Sequence, residues 1–229
     1  MNKLNGRNEE DRRVYERSAR LILLLALRDV VPGAKVRFEH SIGHGIYMNV
    51  ADVTASLVRR IEKRMHEIVA QDLPITKSRW TREEAVAYFK AQGQEDTVRL
   101  LSYRPFDFFD VYTCDGLSEY FYGSMVESTK EAASFALRFY YPGMVLLLPG
   151  EDLQGVPAPF VERPKLMRAY VEANVCSKIL QCENAADLND IIAKGEARTF
   201  IRVSEAMQER AVAQIAERIV ANGARVVFV

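Results

Sequence analysis

The sequence predicts an α+β fold: an antiparallel sheet with helices on one face, followed by a small helical segment and a terminal β-strand. Three observations carry this. Apolar residues recur at helical spacing over 11–30 and 54–71. Aromatic and β-branched residues dominate 107–148, broken by Gly116, Gly123 and Pro142-Gly143, which is the texture of short antiparallel strands. Helical periodicity then returns over 165–180, 186–193 and 196–221.

In chain order, residues 1–10 are polar and predicted to fray. Val14, Leu21, Ile22, Leu24 and Leu25 give the helix over 11–30 its apolar face, and Pro32-Gly33 stops it. The runs 34–40 and 46–50 read as a hairpin about Gly43-His44-Gly45. Leu57, Val58, Ile61, Met65 and Ile68 share one side of a second helix, and 73–78 reads as a strand. Thr81-Arg82-Glu83-Glu84 is a capping-box pattern, opening a helix that Gly93 ends; a short helix follows over 95–101. Three or four strands over 107–148 complete a domain spanning 1–150. Pro157, Pro159 and Pro164 mark 151–164 as a connector. The remainder, 165–229, is helical. Its last helix carries Phe200, Val203, Met207, Ala211, Ile215 and Ile219 as an apolar stripe, and Asn222-Gly223 ends it. Residues 226–229 form an apolar run of the kind buried on both faces of a parallel sheet, so the expectation is a chain that continues into a further α/β domain.

Composition excludes several functions. Lys and Arg number 31 against 31 Asp and Glu, so no global basic field exists to grip nucleic acid. Arg12, Arg13, Arg17, Arg20 and Arg28 on the first helix, and Arg59, Arg60, Lys63 and Arg64 on the second, are interleaved with acids as on a solvated face. Nucleic acid is therefore not an expected partner. Residues 21–27 are the longest apolar run, far short of a membrane span, and the charged start lacks a signal-peptide core. Three scattered cysteines, Cys114, Cys176 and Cys182, fit a reducing cytoplasm.

No catalytic residue and no metal-ligand set is predicted. His40 and His44 have a ligand-like spacing, but on a hairpin rather than a helix, with no Cys-x-x-Cys nearby. His66 lies between Arg64 and Glu67 and reads as solvated. Gly-x-Ser-x-Gly and phosphate-binding glycine loops are absent. Asp115 beside Cys114 raises that thiol's pKa instead of activating it.

Two longer stretches carry resemblances. From Tyr15 to Leu148, the phrases VVPGAKVRFEHSIGHGIYMNV, RRIEKRMHEIVAQDLPI, WTREEAVAYFKAQG and YGSMVEST resemble the second, editing-type domain of threonyl-tRNA synthetases. In that family a His-x-x-x-His pair on the first helix and a Cys-x-x-x-His pair near the later strands form the hydrolytic centre for mischarged tRNA. The resemblance places these positions on Glu16 and Arg20, and on Phe121 and Met125, so the editing residues are degenerate here. The phrases YGSMVEST, LRFYYPGMVLLLP, PKLMRAYVEANVCSKILQCENAADLND and IRVSEAMQERAVAQIAERI resemble the region ahead of the catalytic domain in long bacterial nucleoside kinases of the phosphoribulokinase/uridine kinase family. That resemblance implies a strand over 225–229 running into a phosphate-binding loop beyond this chain. ATP and Mg would belong to that kinase domain, leaving no cofactor here. Such proteins commonly begin with a ubiquitin-like domain, for which residues 1–14 have no room.

The expected function is a non-catalytic accessory or regulatory region of an ATP-dependent, uridine-type nucleoside kinase, with its own kinase domain as partner. A groove between the first helix and 121–125, lined by Arg20, His40, His44 and Tyr122, is the expected place for a small ligand such as a nucleoside or amino acid. One alternative is an interaction scaffold that forms homo-oligomers. The other is an aminoacyl-tRNA editing hydrolase that uses His40 and His44.

Overall fold

The structure, a computed structural model, describes residues 4–225. It divides into two compact units: residues 4–82 with Asp107–Arg163, and Glu83–Phe106 with 164–225. The terminal strand expected over 226–229 lies outside the described residues.

The first unit runs α1 (Glu9–Val30), β1 (Val36–Ile42), β2 (Gly45–Val50), α2 (Ala55–Ala70), β3 (Thr76–Thr81), β4 (Phe108–Cys114), β5 (Leu117–Tyr120), a 3-10 turn (Thr129–Ala132), β6 (Ala136–Tyr140) and β7 (Gly143–Leu147). Local chemistry explains the starts and turns. Asn8 caps α1 by accepting from the Glu10 N–H, and three acids occupy the positive end of the helix dipole. Thr54 caps α2 in the same way. The β1–β2 turn is tight because Gly43 takes φ +60°, which a residue without Cβ adopts freely.

Strand pairing departs from the single sheet expected. Two antiparallel sheets form, ordered β1-β2-β7-β6 and β3-β4-β5. The central pairing of the first joins β2 to β7, a non-sequential match with Tyr47 opposite Val145. Strand β3 starts at Thr76 rather than at residue 73 because the preceding backbone is already engaged. Leu73 exchanges hydrogen bonds with Thr129, and the Ile75 N–H donates to the Glu127 carbonyl at 2.8 Å.

One core joins these elements. Ile46, Met48 and Val50 of β2, with Met144 and Leu146 of β7, share it with α1 and with Val58, Ile61, Met65 and Ile68 of α2. Tyr112 and Cys114 bring the second sheet into the same core. From Leu21 to Leu27, α1 is buried at every position but Leu24, not along one stripe. At ~25 cal/mol per Å² of apolar surface, each such leucine contributes roughly 2 kcal/mol. The free edge of β6 is partly satisfied by α2, whose Glu62 accepts from the Leu137 N–H at 2.8 Å.

The proline-rich connector has no helix or strand of its own, yet it is fixed to this unit. Pro149 bridges Pro157, and the Ala158 N–H donates to the Leu148 carbonyl. Leu153 is buried in the core, Phe160 packs edge-on against Tyr140, and Arg138 lies over the Phe160 ring.

The second unit holds α3 (Arg82–Ala91, of which Arg82 is assigned to the first unit), α4 (Glu95–Ser102), α5 (Pro164–Ile179), α6 (Ala185–Ala193) and α7 (Ala197–Ala221). A capping box between Asn184 and Asp187 starts α6. Arg99 of α4 pairs with Asp187 at 2.8 Å and Asp190 at 2.5 Å, tying α4 to α6. Neither α5 nor α7 has a buried residue, and Val203 and Ile215 of the α7 stripe are exposed.

Candidate functional site beside the first helix

The positions singled out by the sequence lie on α1, on the β1–β2 hairpin and on the loop after β5. Glu16 and Arg20 sit one helical turn apart and form an ion pair. The Arg20 guanidinium lies 5.0 Å from the Phe38 ring centroid on β1. Desolvation lowers its pKa, against the opposing pull of Glu16. The two charges are thus directed at each other, with Arg20 also over an aromatic ring.

The loop carrying Phe121 and Met125 is irregular and not a strand, and both side chains pack against the core. Ser18 anchors it: its hydroxyl donates to the Val14 carbonyl at 2.7 Å and accepts from the Val126 N–H at 3.1 Å. Arg17 donates to the Ser124 carbonyl at 3.0 Å, and the Tyr112 hydroxyl donates to the Gly123 carbonyl at 2.7 Å. Gly123 has φ +104°, and a Cβ there would meet the Arg17 guanidinium. Ser18 escaped the sequence reading, which took Arg17 only as part of a solvated face and Gly123 only as a break between strands. The available signal was a serine on the buried face of an apolar helix, since a buried hydroxyl needs a partner.

Of the expected groove lining, only His44 borders a cavity beside α1. That cavity, about 90 Å³, is bounded by Arg12, Tyr15, Glu16, Ser41, His44 and Leu153, among others. It falls well below the roughly 300–1,000 Å³ of ordinary ligand pockets. His40 instead stacks on Tyr47, ring centroids 5.1 Å apart, and Tyr122 is 80% exposed on the loop. Arg20, His40 and Tyr122 do not line the cavity with His44. His66 is exposed, as expected, and its ring stacks on Phe135 at 4.7 Å. Burial pushes the Cys114 thiol up to about 11, with Asp115 adding to the rise, so it is no nucleophile at neutral pH. Among the described residues, no group of three or more His, Cys, Asp or Glu is placed to hold a metal ion. No described helix is long and apolar enough to cross a membrane.

Over about half its length the chain is similar to threonine–tRNA ligases. It is 31% identical to the enzyme of Marinobacter nauticus over 118 residues, which is 46% of this chain and 18% of that one. Against the Rhodospirillum rubrum enzyme it is 36% identical over 87 residues, 37% of this chain and 14% of the relative. Against that of Methylobacillus flagellatus it is 28% identical over 138 residues, 58% and 22% respectively. The chain therefore spans about a fifth of the length of these curated relatives. No family model matches it. The similarity and the α+β fold with antiparallel sheets agree with the editing-like domain expected from the sequence.

Tyr15, beside Glu16, shows how firmly this region is built. Its hydroxyl donates to the Ser134 carbonyl at 3.0 Å and accepts from the Ser134 N–H at 2.7 Å. Burial pushes its pKa up to about 12 from 10.0. A folded-state pKa above the unfolded one favours the fold below pH 10 and withdraws that stability as pH rises toward 12. Stability is expected to fall by up to about 2–3 kcal/mol across that window. Urea titrations at pH 9, 10, 11 and 12 check this; Tyr15→Phe is less stable at pH 9 and loses less between pH 10 and 12.

Proposed function

We propose that the first unit is a non-catalytic accessory module that keeps the editing-type scaffold without its reactive groups. One observation carries the reading. At the four positions where the resemblance places hydrolytic residues stand an ion pair, Glu16–Arg20, and two partly buried apolar side chains packed against the core, Phe121 and Met125. Arg20 is held by Glu16 and Phe38, and neither Phe121 nor Met125 offers a general acid, base or nucleophile. The parent protein, in this reading, is an ATP-dependent nucleoside kinase, and the module serves its kinase domain. The similarity to threonine–tRNA ligases supports the editing-like half of this; the kinase half rests on the phrases quoted from 122–219.

Deacylation of mischarged threonine tRNA tests the first half. The protein is expected to hydrolyse it no faster than buffer. Turnover that disappears in His44→Ala would establish an editing hydrolase instead. For the second half, the coding sequence after Val229 should continue into a Gly-x-x-x-x-Gly-Lys-Ser/Thr loop; a stop codon there would refute it. A second reading, an interaction scaffold, is favoured by α7, which has no buried residue in 25. Light scattering separates the two: a dimer that forms with concentration and is lost in Ile215→Glu supports the scaffold.

A further inference from the structure

A second cavity, about 550 Å³, lies wholly within the second unit, far from Glu16 and Arg20 in sequence. It is bounded by the end of α5, by α6, by the start of α7 and by Arg99 of α4. Its volume falls in the range of ordinary small-molecule sites. One side is apolar: Ile179, Leu180, Ile191, Phe200 and Val203. Ile179 and Val203 remain exposed there, so apolar surface is available for a ligand to cover.

The polar side divides into two sets. Arg99, Asp187 and Asp190 are committed to one another, and the Tyr103 hydroxyl donates to Asp190 at 2.5 Å. Asp187 also accepts from the Glu183 and Asn184 N–H groups. These side chains partner one another, one guanidinium against two carboxylates, and leave one net negative charge on that wall. The second set is Lys194 and Glu196, on either side of Gly195, which takes φ +75° in the α6–α7 turn. Among the described residues neither makes an ion pair; Lys194 only adds to the field at Asp190. An ammonium and a carboxylate, opposite in sign and two residues apart, thus border an apolar wall.

We propose that this cavity binds a zwitterion with an apolar body, such as an amino acid with a large apolar side chain. Lys194 would receive its carboxylate, Glu196 its ammonium, and Phe200 and Ile191 its side chain. Charge complementarity selects this class: an anion alone would face Glu196, and a cation alone would face Lys194. The inference stands apart from the proposed function, since it uses none of that site's residues.

Titration calorimetry on the whole chain tests it, with L-phenylalanine as probe and N-acetyl-L-phenylalanine, L-phenylalaninamide, uridine and inorganic phosphate as comparisons. Saturable binding of L-phenylalanine is expected, weakened at least tenfold for the acetylated and amidated forms. Lys194→Gln and Glu196→Gln should each weaken it tenfold or more, with the far-ultraviolet circular dichroism unchanged. Flat traces for L-phenylalanine would overturn the proposal. So would equal binding of the acetylated and amidated forms, or affinity unaffected by both substitutions. These outcomes leave the deacylation result untouched, so the two readings fail separately.

Discussion

Leu25→Ala is expected to destabilise the first unit by about 3–5 kcal/mol, the range for a leucine removed from a site that cannot collapse. Leu25 is fully buried in the middle of α1, and the positions around it are buried as well, so no side chain is free to fill the space. Leu24→Ala, one residue away and half-buried, should cost no more than about 1.5 kcal/mol. Urea unfolding followed by circular dichroism gives both values. With a slope of about 1–3 kcal/mol per molar, the Leu25 variant should lose more than 1 M in midpoint. Equal losses for the two variants would contradict the difference in burial between Leu24 and Leu25.

The second large effect concerns a glycine chosen by space. Gly143 opens β7, which pairs with both β2 and β6 and so lies inside its sheet. A Cβ there would be driven into the Met48 carbonyl oxygen and would lie 2.8 Å from the Tyr47 hydroxyl. Backbone in a paired strand cannot step aside cheaply, and Tyr47 is itself buried. Gly143→Ala is therefore expected to cost about 3 kcal/mol, at the upper end for overpacking. Gly150→Ala is the control: a Cβ there meets nothing within 4 Å, and its φ is not positive, so stability should stay within about 0.5 kcal/mol. A comparable loss in both would mean that glycine flexibility, not the close approach, matters at residue 143.

Elements set by local chemistry could be read from the residues. The caps at Asn8 and Thr54, the Gly43 turn and the breaks at Pro32-Gly33 and Gly93 depend on neighbours in sequence, and the helices fall within two residues of their expected ends. Pairing across the chain could not be read this way. Nothing in residues 45–50 says that their partner is 143–147 rather than 73–78, because apolar alternation fits either strand. The same limit applied to the candidate site. Glu16 and Arg20 could be placed on one helix face from their spacing, and their ion pair followed. The placement of His40 could not be read this way, because the direction of a hairpin side chain depends on neighbours such as the Tyr47 ring beside it. The Ser18–Val126 link joins residues 108 apart, beyond the reach of any local pattern.

The chain passes between its two units three times: after Arg82, after Phe106 and after Arg163. Helices α3 and α4 are thus an excursion that leaves one unit and returns to it, and α5–α7 complete their unit only when the polypeptide comes back some sixty residues later. Severing the protein at Arg163 would consequently not free an intact first half. It would orphan Arg99 from Asp187 and Asp190 and leave a two-helix stub hanging from the end of β3, so a clean dissection requires splicing Arg82 to Asp107 as well.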